Sequence, residues 1–165
     1  MTFIYCKDDV KIRSSVERDV EDLRDCLREV DRAELQAFNG QTPYQALSYG
    51  RRHSTFCATV LFKDKPVAMF GVVPDSKVKT AAAVWLLASD GIYLMRYSFL
   101  RLSRRYVKLM QARYPLLWNF IDPKNTATIR WLLWCGASLD DPKPVGKDGA
   151  MFQYFTLEKS MKAVA

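Results

Sequence analysis

The sequence predicts an α/β protein of three layers. A mixed, mostly antiparallel sheet carries helices on both faces, in the order β-α-α-β-β-β-α-β-α-β. Three observations carry that reading. Two β-rich runs, "STFCATVLF" and "PVAMFGVVP", flank the turn "KDK" and read as a hairpin. A third apolar run, "TAAAVWLLA", leads into a long helical stretch and then a buried run, "YPLLWNFID", the strand–helix–strand pattern of a parallel crossover. The 165 residues are 49% hydrophobic and 13% aromatic, which supports one packed core, so one domain over 1–165 is expected.

Taken in chain order, "VKIRSS" alternates as a short strand, and Ser14 with Glu17 forms a capping-box pattern that predicts a helix start. Val16, Val20, Leu23, Leu27 and Val30 repeat at helical spacing, so a single helix is expected up to "FNGQTP", where Gly40 and Pro43 end it. A second helix runs from Pro43 to about Arg52. After the hairpin, "TAAAVWLLA" is apolar on both faces and is placed centrally in the sheet. The long helix is expected from about Ile92 to Arg113, with Met95, Phe99, Leu102, Tyr106 and Leu109 as its core stripe. A helix over "KNTATIRWLLWCGA" ends at Gly136 by the usual glycine stop. A loop, "DDPKPVGKDGA", and a last strand, "MFQYFTLEK", close the chain.

Composition narrows the function. No apolar run reaches the roughly 20 residues of a membrane span, and the N-terminus lacks a secretory apolar core, so no membrane role is expected. Cys6, Cys26, Cys57 and Cys135 are scattered without CxxC spacing and read as reduced thiols rather than a disulfide or zinc framework. The lone His53, beside Arg51 and Arg52, reads as a surface residue, and no metal site is expected. The formal net charge is +7, and residues 1–50 hold ten acids against seven bases, so the remainder is strongly basic. Between Gly91 and Ile121 there are six basic residues and no acid. That asymmetry points to an anionic partner or to a solvated basic surface.

The element order over nearly the whole chain resembles the Gcn5-related N-acetyltransferase (GNAT) superfamily. Asn125 after "LLWNFID", followed by Gly136, fits that family's pattern of an Asn after the fifth strand and a helix ending in glycine. The strings "PVAMFGVVP", "VWLLASDG" and "YPLLWNFID" are similar to an acetyltransferase-like family of short-tailed (podovirus) phages named for an internal virion protein. The resemblance implies acetyl-CoA as cofactor. Its pyrophosphate would lie in a Q/R-x-x-G-x-G/A cradle over Ala88 to Tyr93, at a helix N-terminus whose amides and partial positive charge favour anions. Only Gly91 matches that pattern; Ala88 and Tyr93 depart from it, and Asp90 adds like charge. The pantetheine arm would pair with main-chain groups around Leu86 to Ala88, so the implied cofactor set is Leu86, Leu87, Ala88, Gly91, Ile92, Tyr93 and Asn125. Many relatives place a tyrosine acid seven residues after the Asn, where this chain has Leu132. The substitutes are Tyr97, Tyr93 and Tyr114. The bases on offer are Asp75, Asp90 and Asp122 at strand ends, each of which also suits a turn or cap.

Three functions follow as expectations. The first is a phage-encoded GNAT-fold module with a degenerate acetyl-CoA loop and no cofactor. It would bind a phage or host protein in virion assembly or host takeover, in the cytoplasm of the infected bacterium or within the particle. Trp118, Trp131 and Trp134 fit it, although Trp131 and Trp134 also sit at core spacing. The second is an acetyl-CoA-dependent N-acetyltransferase with a divergent loop. The third is nucleic-acid binding through Arg101, Arg104, Arg105 and Lys108 on one face of the long helix.

Overall fold

A computed structural model describes residues 3–160; the expected boundaries at 1 and 165 lie outside the described residues. One eight-stranded sheet runs in the order β1-β2-β3-β4-β5-β6-β8-β7. Its strands are β1 (Phe3–Lys7), β2 (Val10–Ser14), β3 (Phe56–Phe62), β4 (Lys65–Pro74), β5 (Ala81–Ala88), β6 (Leu116–Ile121), β7 (Ser138–Leu139) and β8 (Gln153–Glu158). The helices are α1 (Glu17–Arg24), α2 (Glu29–Phe38), α3 (Pro43–His53), α4 (Arg96–Arg113) and α5 (Thr126–Trp134). All neighbouring strands pair antiparallel except β5 and β6. The hairpin between β3 and β4 turns on Lys63 and Asp64, both with positive φ (49° and 62°), the backbone of a tight type I′ connection. Gly136 ends α5 at φ +96°. Its N–H bonds to the Leu133 carbonyl and that of Ala137 to the Leu132 carbonyl, the paired bonds of a glycine-terminated helix.

Two apolar clusters cover the two faces. One packs α4 and α5 against the sheet through residues such as Leu102, Tyr106, Met110 and Leu132. The other packs α1 and α3 through Val20, Leu23, Leu27, Leu47 and Met69. The core stripe expected of the long helix is buried at Met95, Leu102 and Tyr106, but Leu109 is exposed and Met110 is buried in its place.

Three expectations need correction. An N-terminal strand, β1, pairs with β2, because the Asp8–Asp9 turn folds a polar-interrupted segment that carries no clean alternation. The first helix does not start from Ser14, which lies in β2 opposite Ala58; Asp19 instead accepts the Val16 N–H at 2.9 Å and Glu17 pairs with Arg51. Nor is it continuous: it breaks between Arg24 and Glu29. There Leu27 forms a β-bridge with Ser89, and the Arg28 N–H donates to the Ala88 carbonyl at 2.8 Å. No glycine or proline marks that break, since the force making it is a tertiary main-chain contact.

Candidate functional site

The parallel joint between β5 and β6 is short. Register holds only from Ala81–Leu116 to Ala83–Trp118, and beyond it the strands part. In a strand both main-chain polar groups of a residue point to the same neighbour, and successive residues alternate. The Ser89 N–H donates to the Val67 carbonyl of β4, so Val84, Leu86 and Ala88 turn their main-chain groups toward the gap. The Asn119 side-chain amide closes the near end by donating to the Val84 carbonyl at 2.7 Å. The far end is closed from α2. The Ala88 carbonyl accepts the Arg28 N–H at 2.8 Å, and the Ala88 N–H donates to the Asp31 carboxylate at 3.0 Å. Asp31, itself buried, is gripped by Arg28 through Nε and Nη2, both at 2.9 Å, a bidentate pairing that fixes its orientation. Of the Leu86 to Ala88 segment, Leu86 still presents its main-chain groups to the opening.

A cavity of about 620 Å³ occupies the opening, lined by Trp85, Leu87, Phe120 and Phe155 among others. Its most unusual polar group is Glu34 of α2. Glu34 accepts from Asn125 Nδ2 at 2.9 Å and from the Asp122 N–H at 3.3 Å. Burial pushes its carboxyl up to about 7; the two hydrogen bonds oppose the shift, while Asp31 and Asp122 add to it. The folded protein therefore holds a proton on Glu34 between its ordinary value of 4.5 and about 7, and stability falls as pH rises through that window. Glu34→Gln is expected to raise the denaturation midpoint relative to the parent above pH 7, with the gain shrinking to nothing below 4.5. A gain independent of pH would mean that the carboxyl is not desolvated.

Sequence reasoning missed Glu34, which reads as one more acid on an amphipathic helix. A faint signal existed: the i, i+3 spacing of Asp31 and Glu34 puts both on one helix face. The residues the sequence did single out are divided. Leu86, Leu87 and Asn125 line the cavity. Asn125 is the N-cap of α5, its side-chain oxygen accepting the Thr128 N–H at 3.2 Å. Asp122 makes a turn, accepting the Lys124 N–H at 2.8 Å, and reaches the site only through its own N–H. Asp90 and Tyr97 are exposed and Ile92 is buried; none lines the cavity. Leu132, at the position of the family's tyrosine, is core. Tyr114 is buried against Thr55 Oγ1 at 3.0 Å.

The cradle segment is not a loop. Asp90–Met95 is a 3₁₀ helix entered directly from β5 through Ser89, and α4 begins at Arg96 rather than Ile92. A Cβ on Gly91 would lie 2.7 Å from Val67 Cγ1. This glycine therefore serves close packing of the chain on β4, not the approach of an outside group. Between α4 and α5, the Phe99 ring packs tilted against Trp131 at 5.2 Å and Trp131 donates to Ser103. Acetyl-CoA, the cofactor the fold implies, does not fit these residues: a main-chain pair it would need is already made, and the glycine of its cradle is filled by Val67. Of the basic residues on α4, Arg104 donates to the Trp134 carbonyl at 2.7 Å and lies 3.7 Å over that ring, while Arg105 lies 6.0 Å from the Tyr5 ring.

Comparison with known proteins agrees with this architecture. A family described as bacteriophage T7, probable scaffold protein Gp13, matches residues 70–142. The probable scaffold protein gp13 of Escherichia phage T7 is 29% identical over 107 residues, covering 62% of this chain and 70% of that one. Those descriptions speak of a scaffold, not of an internal virion protein. Among solved structures, Ard1 from Thermoplasma volcanium superposes with a TM-score of 0.71 at 14% identity, over 93% of this chain and 100% of that one. The yncA protein of Salmonella typhimurium, solved with acetyl-CoA, gives 0.70 at 12% over 95% and 98%. The ribosomal-protein-S18-alanine N-acetyltransferase of Escherichia coli gives 0.66 at 15% over 94% and 97%. The chain thus has the fold of the GNAT acetyltransferases, and over part of its length a sequence similar to a probable scaffold protein of phage T7.

Proposed function

We propose that this is a phage GNAT-fold protein acting as a protein-binding module, with a phage or host protein as its partner, in virion assembly or host takeover. The observation that carries the reading is the clamp on Ala88: Arg28 and Asp31 occupy the main-chain groups that a pantetheine arm would use. The 3₁₀ turn in place of a cradle, the buried Leu132 and the likeness to a probable scaffold protein support it. The cytoplasm of the infected bacterium, or the particle itself, is the corresponding location. Among the described residues no helix is long and apolar enough to cross a membrane.

One observation favours a second reading, an N-acetyltransferase with a divergent loop. Glu34, held at about 7 in a half-enclosed apolar cavity, is poised to exchange a proton with an amine near neutral pH. Calorimetric titration with acetyl-CoA and with CoA decides between the two. The module reading expects no heat of binding at millimolar cofactor. Micromolar binding, with turnover that Glu34→Gln abolishes, would establish the enzyme instead. Nucleic-acid binding has less support, because Arg104 and Arg105 already engage aromatic rings. It would show as affinity falling ~10³-fold or more from low to moderate salt.

A further inference from the structure

The segment that replaces the cradle exposes what a soluble surface ordinarily hides. Tyr93, Leu94 and Tyr97 are 56%, 73% and 75% exposed, and Leu100 follows at 37%. Tyr93 and Leu94 lie in the 3₁₀ turn and Tyr97 in the first turn of α4, so the three cluster at the junction of the two elements. Arginines brace the tyrosines: Arg28 lies 5.8 Å from the Tyr93 ring and Arg96 5.0 Å from the Tyr97 ring. Arg28 is in turn anchored by Asp31, so one bidentate pair holds both the closed strand edge and the base of this patch. Tyrosine and arginine clustered around an exposed leucine have the composition of a binding hot spot rather than of a solvated face.

We propose that the Tyr93–Leu94–Tyr97 face is the docking surface of this module. Its partner is an acidic protein segment that carries a leucine or aromatic side chain beside its Asp or Glu residues. The charge of the partner follows from complementarity: from Gly91 to Ile121 the chain has six basic residues and no acid. Its apolar anchor follows from Leu94, which has nothing to offer a phosphate backbone. Asp90, exposed at the start of the same turn, repels anions there, so the partner's acids meet Arg96 at the Tyr97 end of the face.

The inference rests on the binding-module reading, which the CoA titration tests separately. CoA binding would overturn that reading, whereas failure of the following experiment with CoA binding absent overturns the docking face alone. Random dodecapeptides are displayed and selected on the immobilised 165-residue chain, and the enriched sequences are measured as free peptides by fluorescence anisotropy. Enrichment of Asp and Glu next to Leu, Phe, Tyr or Trp is expected. Affinity should fall at least ~10-fold for Leu94→Ser with Tyr97→Ser, at an unchanged melting temperature, and should vanish when the peptide's acids are replaced by lysine. No enrichment overturns the proposal, as does equal binding to the doubly substituted protein. So does tighter binding of random single-stranded DNA that the two serines weaken, which would transfer this face to nucleic acid.

Discussion

Replacing Asp31 by alanine is expected to cost about 3 kcal/mol of stability, because it strands a partly buried guanidinium and an inward-facing N–H together. Asp31 accepts from both Arg28 and the Ala88 N–H, and at 5% exposure no water replaces it cheaply. For a chain of this size the melting temperature should drop by about 6–12 °C. Asp31→Asn keeps an acceptor for Ala88 but loses the charge, so it should recover part of the loss. If alanine and asparagine are equally harmful, the ion pair and not the strand contact is the main contribution. If neither moves the melting temperature, the clamp does not hold the edge of β5. Loss of the clamp should also loosen Tyr93, whose arginine brace shares the same carboxylate.

The second large effect lies at Asp19 of α1, on the face of the sheet where Leu35 of α2 also packs. Asp19 is 1% exposed and accepts from Arg13 Nη1 and Nη2 at 2.6 and 2.7 Å, from Thr59 Oγ1 at 2.7 Å and from the Val16 N–H at 2.9 Å. It caps α1, ties that helix to β2 and β3, and neutralises an arginine that is itself buried. Asp19→Ala should cost about 3–5 kcal/mol, the range for breaking a buried pair from one side, and urea titration would measure it directly. The pH dependence has a definite sign. Burial pushes the Asp19 carboxyl up, but the bonds from Arg13, Val16 and Thr59 outweigh it and leave it below its ordinary value of 3.8. Its stabilisation is therefore complete above 3.8 and is lost as pH falls through the lower folded value. The alanine variant should lose less stability on acidification than the parent, and an equally steep acid limb would assign that sensitivity to other carboxylates.

The sheet and its helices were largely legible in the sequence because they rest on periodicity and on turn residues. The hairpin at Lys63–Asp64, the central placement of β5 and the stop at Gly136 all follow from local signals. The break after Arg24 does not: its cause is Ser89 and Ala88, more than sixty positions away, pairing with Leu27 and Arg28. The same contact explains why the site was read incompletely. Departures from the cradle pattern at Ala88 and Tyr93 were visible as letters, but that Ala88 is already paired depends on where α2 comes to rest. Glu34 was invisible for a related reason, since an acid on a helix face gains meaning only when the facing surface proves to be apolar and half-closed. Local chemistry thus located the altered loop, and tertiary placement supplied its lining.

The three-residue joint between β5 and β6 also bears on how the chain assembles. Strands β1 to β5 pair in register with neighbours that are antiparallel, although α1 to α3 intervene between β2 and β3. The union of β5 with β6 must wait for the whole of α4 to fold back, a closure whose entropy precedes its few rewarding bonds. The molecule is therefore expected to form as two unequal sub-sheets that zip late along a narrow seam. The amides of β6 and β8 would then gain protection from solvent exchange after those of β3 and β4.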